Sequence, residues 1–173
     1  MGTSLIAYEV LIGAVVIERA VELVVSKRHA RALFERGAVE HGADHYPPMV
    51  ALHIAFLVGC ALEPWLEHRP FIAVVGLPML ALALAAQTMR WWAIATLGVH
   101  WNTRVIVLSG APRITGGPYR WLTHPNYAAV VVEGVALPLV HTAWMTALLF
   151  TLLNASLLFV RVRTENAALV AMR

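Results

Sequence analysis

Residues 126–160 read NYAAVVVEGVALPLVHTAWMTALLFTLLNASLLFV. Two apolar runs, about 126–140 and about 142–160, are parted only by His141 and Thr142. A helix needs ~20 mainly apolar residues to cross ~30 Å of hydrocarbon, so the pair reads as a tight helical hairpin in lipid. The first run is short, which calls for little tilt or for shielding by its neighbours.

Three further runs lie upstream, at about 4–25, 47–63 and 71–95, and a short amphipathic helix at about 160–172 closes the chain. Pro78 and Pro138 are placed to kink their helices. The expected fold class is all-α: an integral membrane bundle of about five transmembrane helices, one domain over residues 1–173. Composition agrees, being 60% hydrophobic and 13% charged, where soluble domains sit near ~45–50% and ~25%. The mean hydropathy is +0.70, more apolar surface than a soluble fold of this size can hide. The first run carries Glu9, Glu18, Arg19 and Glu22 with no small-residue cleavage site after it, so it reads as a mature helix rather than a signal peptide. Cys60 is the only cysteine, which removes intrachain disulfides and Cys-based metal clusters.

The basic residues fall into three groups. Lys27, Arg28, Arg31 and Arg36 stand between the first two runs; Arg104, Arg113 and Arg120 between the third and fourth; Arg161, Arg163 and Arg173 after the fifth. The opposite connections hold only Arg69. Five crossings with an external N-terminus gather the three groups on one side, and the positive-inside rule makes that side cytoplasmic. Basic groups that follow topology are poor grounds for nucleic-acid binding. Membrane lipids are the expected surroundings, and no soluble partner is indicated.

Three polar islands share the basic side. In GGPYRWLTHPNY (116–127), Gly116-Gly117-Pro118 signals a turn and Pro125 suits the first turn of a helix, with Thr123 or His124 near its cap. Free N–H groups at such a terminus favour an anionic ligand group. Tyr119, Trp121 and Tyr127 offer faces for a flat ring or a cation. An interfacial aromatic belt explains the same residues. In GAVEHGADHYP (37–47), His41 and His45 are spaced i,i+4 beside Asp44, but Gly37 and Gly42 oppose a stable helix and no third ligand is fixed. A polar lid over a cavity fits better, and no metal site is expected. In GVHWNTRVI (98–106), Trp101, Asn102 and Arg104 are candidates for a site mouth.

Polar residues inside the runs add to this. Arg161 and Glu165, spaced i,i+4 in RVRTENAAL (161–169), share a helix face where a membrane helix ends. Glu133 lies mid-helix and calls for an Arg or His partner, or for a proton. Asn154 reads as a helix–helix hydrogen bond, and Glu18, Arg19 and Glu22 as a polar stripe facing the bundle or the membrane surface.

The string GGPYRWLTHPNY, then a membrane helix, a second helix and RVRTENAAL, resembles the isoprenylcysteine carboxyl methyltransferase family. The family pattern is roughly G-P-Y-R-x-x-R-H-P-x-Y, two helices, then Arg with Glu-Glu four and five residues on. The chain is more similar still to a small bacterial branch, whose members sit beside type III polyketide synthases and O-methylate alkylpyrones. There GAVEHGADHYPPMVALH (37–53) and RWWAIATLGVHWNTRVIVLSGAP (90–112) look like recurring segments. The resemblance implies a bacterial plasma-membrane O-methyltransferase using S-adenosylmethionine. Its C-terminal half wraps the cofactor from the cytoplasmic side, and a lipophilic acceptor enters from the bilayer. Carried over, Gly117, Pro118, Tyr119, His124, Pro125 and Tyr127 look like cofactor contacts, and Arg161 and Glu165 like the pair at the reacting end. His45, Trp101, Asn102 and Arg104 are candidate acceptor contacts. The chain departs from the pattern at Thr123 and Asn166, where the family has Arg and a second Glu. The implied acceptor is an alkylpyrone enol. Alternatives are a prenylcysteine carboxylate, an NADPH-dependent membrane reductase and a non-catalytic adaptor.

Overall fold

The structure, a computed structural model, describes residues 2–171. Its five α-helices are α1 (Thr3–Phe34), α2 (Tyr46–Leu66), α3 (Ala73–Leu97), α4 (Pro125–Leu139) and α5 (Trp144–Ala171). Two short strands, β1 (Val39–His41) and β2 (Val105–Val107), pair antiparallel with Glu40 opposite Ile106. Three helical segments are long and apolar enough to cross a membrane: Ala43–Leu66, Ala73–His100 and Trp144–Ala171. The other two helices are α1, which carries the Glu18–Arg19–Glu22 stripe within its 32 residues, and α4, with only 15.

Each apolar run became a helix, with two corrections at the ends. The first helix runs on to Phe34 rather than stopping near 25, so Lys27, Arg28 and Arg31 lie within it. Nothing in the sequence breaks it before Gly37, whose φ of 83° lies in the left-handed region. The amphipathic helix expected over 160–172 is not a separate element; α5 continues unbroken through Arg161 and Arg163. A change from apolar to charged residues does not end a helix when no Gly or Pro interrupts it. Arg173 lies outside the described residues.

The α4–α5 hairpin is as tight as the sequence implies. Thr142 takes a φ of 54° at the turn. Glu63 of α2 accepts hydrogen bonds from the backbone N–H groups of Met145 (3.1 Å) and Thr146 (2.7 Å). This satisfies orphan donors in the first turn of α5. Toward this end Tyr8, Ile12, Phe56, Cys60, Leu137 and Phe150 form the apolar core. The Cβ of any larger residue at Gly134 would lie 2.5 Å from the Phe150 ring, so glycine is what lets α4 and α5 close.

The middle of the bundle is held by charge. Arg19 donates to both Glu22 oxygens at 2.8 Å, to Glu133 at 2.8 and 3.0 Å, and to Gln87 at 3.0 Å. Arg90 meets Glu22 in a two-pronged pair at 2.6 Å. The stripe on α1 therefore faces the bundle and fastens it to α3 and α4. Glu133 has the arginine partner its depth requires.

Candidate functional site

The opposite end of the bundle carries the polar islands. α1 pins the segment after α3. The Ser26 hydroxyl donates to Asn102 Oδ1 at 2.8 Å and accepts from the Thr103 N–H at 3.0 Å, and Asn102 Nδ2 donates to the Ser26 carbonyl at 3.0 Å. His29 Nδ1 lies 2.9 Å from the Trp101 carbonyl oxygen. The β1–β2 pair and the turn Ala43–His45 then pack against α5; of residues 37–47, expected as a lid over a cavity, His45 and Tyr46 line the smaller cavity described below.

Residues 116–127 start with a turn that only glycine fits. Gly117 has a φ of 52°, and an added Cβ would lie 2.4 Å from Thr96 Oγ1. Pro118 and Pro125 are fully buried. These three residues line neither cavity described below; they shape the chain that presents Tyr119, His124 and Tyr127.

His124 stands at the N-terminus of α4 and stacks on Tyr127 with ring centroids 5.2 Å apart. Its Nε2 is 3.1 Å from Asn166 Oδ1, and its Nδ1 is 3.6 Å from Glu165 Oε1. The hydrogen bond with Glu165 raises the His124 pKa above the ordinary histidine value, against a smaller opposing effect of burial. Burial likewise pushes the Tyr119 phenol upward. The Tyr127 hydroxyl donates to Glu165 Oε2 and accepts from Arg161 Nε at 2.9 Å. The Arg161 side chain is buried; it also donates to the Thr103 carbonyl oxygen and reaches the Met49 sulfur at 2.9 Å. Arg161 and Glu165 are thus joined through Tyr127, as their shared helix face allows.

Two cavities meet at this cluster. The larger, about 630 Å³, is lined by Tyr119, Thr123, His124, Glu165 and Asn166, with Arg104 and Arg113 among its cations. The smaller, about 180 Å³, runs between the helices past Tyr46, Met49, His53 and Leu157. Trp101, Asn102, Asn126, Tyr127 and Arg161 border both, forming a shared wall. Trp101 is 2% exposed. Its indole Nε1 and the Asn126 Oδ1 are buried without a hydrogen-bond partner.

Of the sequence candidates, Tyr119, His124, Tyr127, Arg161, Glu165, Trp101, Asn102 and Arg104 come together around this wall, and His45 lines the smaller cavity alone. Arg104 is also paired with Glu40 at 3.2 Å and lies over the Tyr46 ring. The sequence reading missed Asn126, Arg113, Met49 and Thr103. Asn126 stands inside the 116–127 motif, between Pro125 and Tyr127. Met49 and the Thr103 carbonyl give no signal before the chain is folded.

Residues 79–171 match the family model described as "Isoprenylcysteine carboxyl methyltransferase (ICMT) family". That interval contains every residue lining the larger cavity. The chain is similar to the uncharacterized protein YpbQ of Bacillus subtilis, with 38% identity over 160 residues, 92% of this chain and 94% of the relative. It is also similar to an uncharacterized protein of Haemophilus influenzae, with 27% identity over 154 residues, 87% of this chain and 88% of the relative.

Proposed function

We propose that this chain, which belongs to the isoprenylcysteine carboxyl methyltransferase family, transfers a methyl group from S-adenosylmethionine to an oxygen of a lipophilic acceptor. Membership makes it a membrane methyltransferase; the cofactor, the oxygen acceptor and the facing of the site are our reading. The single observation that carries it is the wall shared by a polar cavity and an apolar one, with Arg161 and Tyr127 in it.

The larger cavity fits the cofactor. Its volume of about 630 Å³ lies within the roughly 300–1,000 Å³ usual for small-molecule sites. Arg104 and Arg113 offer cations to a carboxylate, Glu165 offers a carboxylate to an ammonium or sulfonium, and Tyr119 and Tyr127 offer ring faces. Asn126 Oδ1 is a buried acceptor in need of a donor. Bound there, S-adenosylmethionine supplies an electrophilic methyl, and the chain's task is alignment. Arg161, held by Tyr127 and Thr103, orients an acceptor oxygen in the shared wall. Glu165 and His124 keep Tyr127 in place. Tyr127, Trp101 and the apolar side chains beyond it keep water from the wall. An enol or carboxylate already ionised near neutral pH needs such orientation more than it needs a base.

The acceptor we favour is the enol of an alkyl-4-hydroxypyrone, the type of lipid a type III polyketide synthase would supply; a prenylcysteine carboxylate is the competing acceptor. The basic groups on the Gly98–His124 end support a cytoplasmic site in a bacterial plasma membrane. A protection assay tests the cofactor assignment. S-adenosylmethionine should raise the thermal midpoint of the detergent-solubilised protein while NADPH does not. Protection by NADPH alone would replace the transferase by a reductase, and protection by neither would favour a non-catalytic role.

A further inference from the structure

The smaller cavity has a charged floor. Arg19, Glu22 and Arg90 line it together with the buried Asn154. Arg19 precedes Ser26, which touches the shared wall through Asn102, by about two helical turns, and Asn154 precedes Arg161 by the same interval; at ~1.5 Å per residue each lies ~10 Å below the wall. The three charges are already satisfied by one another and by Glu133. An alkyl tail pressed against them would strip water or lipid contacts from ion pairs and give nothing in exchange. The cavity is also small. Its volume of about 180 Å³ falls below the roughly 300 Å³ at which small-molecule sites begin, so it encloses a ring and only the start of a tail.

The rim offers a way out. Leu23 of α1 and Ile54 of α2 both line this cavity, yet they are 38% and 59% exposed. Resting on the acceptor reading above, we infer that the Arg19–Glu22–Arg90 cluster is a stop that turns the acceptor's tail sideways, out past Leu23 and Ile54 into the bilayer. The enzyme then reads the head group and the first few carbons of the acceptor. The remainder of the tail lies in lipid and is not measured, so acceptors with long tails of different length serve alike.

The test uses the whole protein in lipid nanodiscs with methyl-labelled S-adenosylmethionine and two probes, 6-methyl- and 6-pentadecyl-4-hydroxy-2-pyrone. The variants are Ile54→Trp and Leu23→Trp, both at exposed apolar positions on the rim of the cavity. Each should lower kcat/KM for the long-tailed pyrone at least tenfold relative to the short-tailed one. Equal loss with both probes, or no change in that ratio in either variant, overturns the inference while leaving the acceptor reading in place. If the wild type methylates neither pyrone, the pyrone reading fails. The same comparison, made with N-acetylcysteines bearing short and long S-prenyl tails, then decides the tail route by the same ratio.

Discussion

Arg161 Nε lies 2.9 Å from the Tyr127 hydroxyl, which spends its own hydrogen on Glu165. One phenol thus links a cation and a carboxylate across the wall between the two cavities. Tyr127→Phe keeps the ring stacked on His124 and removes the link. Hydrogen bonds to charged groups are worth ~1.5–3 kcal/mol of stability, so the variant should lose about that much stability, and where it stays folded kcat/KM should fall roughly 10- to 100-fold as Arg161 and Glu165 lose their alignment. Steady-state kinetics checks this, and wild-type activity would remove the hydroxyl from the site.

Glu165 lines the larger cavity with Tyr119 and Tyr127, and in the function proposed above its carboxylate faces the cofactor's sulfonium. Glu165→Gln preserves the volume and loses the charge. A preorganised group of this kind typically contributes about 10²–10³ in rate, and turnover should drop by that order while the protein remains folded and inserted. Full activity in the variant would show that the carboxylate is not needed.

His124 is held above its usual pKa by its contact with Glu165. The stabilisation from that pair is complete below the unfolded histidine value of about 6.5 and is lost as pH rises through the higher native value. Imidazole resonances followed by NMR should therefore titrate above 6.5 in the wild type and move back down in Glu165→Gln. An unchanged His124 midpoint in that variant would contradict the pairing.

Glu133 meets Arg19 across the bundle, and removing one partner of a buried pair leaves a charge uncompensated. Glu133→Ala should destabilise the solubilised protein by about 3 kcal/mol, and Glu133→Gln by less, because its amide oxygen still accepts from Arg19. Denaturant unfolding distinguishes the two; equal and small effects would mean that Glu22 and Gln87 satisfy Arg19 alone.

Gly117 combines a φ of 52° with a 2.4 Å approach to Thr96 Oγ1. Gly117→Ala should cost at least about 1–2 kcal/mol from the left-handed backbone alone. Adding Thr96→Ala should return only part of the loss, since it relieves the collision and leaves the backbone strain. Complete rescue would locate the whole effect in the collision.

Much of this molecule is legible before folding, for identifiable reasons. Hydropathy locates all five helices, because length and apolarity are local properties. The motif at 116–127 marks the site, since a turn, a helix start and three aromatics stand side by side there. What remained hidden is long-range or lacks a breaker. Arg19 and Glu133 are 114 residues apart, so the sequence shows that Glu133 needs a partner without showing which. Arg90 sits between apolar neighbours with no spacing that links it to Glu22. The pairing of β1 with β2 joins two segments too short to announce themselves as strands. The end of the fifth helix was misplaced because charge at Arg161 resembles a boundary, whereas the backbone has no reason to stop there.

In the function proposed above, methyl transfer takes place at the shared wall. The most direct measurement supplies methyl-labelled S-adenosylmethionine and a long-chain 4-hydroxy-2-pyrone to the purified protein, with His124→Ala as control. The wild type should give a labelled methyl ether and the variant little. Equal product from both would contradict the placement of the site, and no product from the wild type would contradict the pyrone as acceptor.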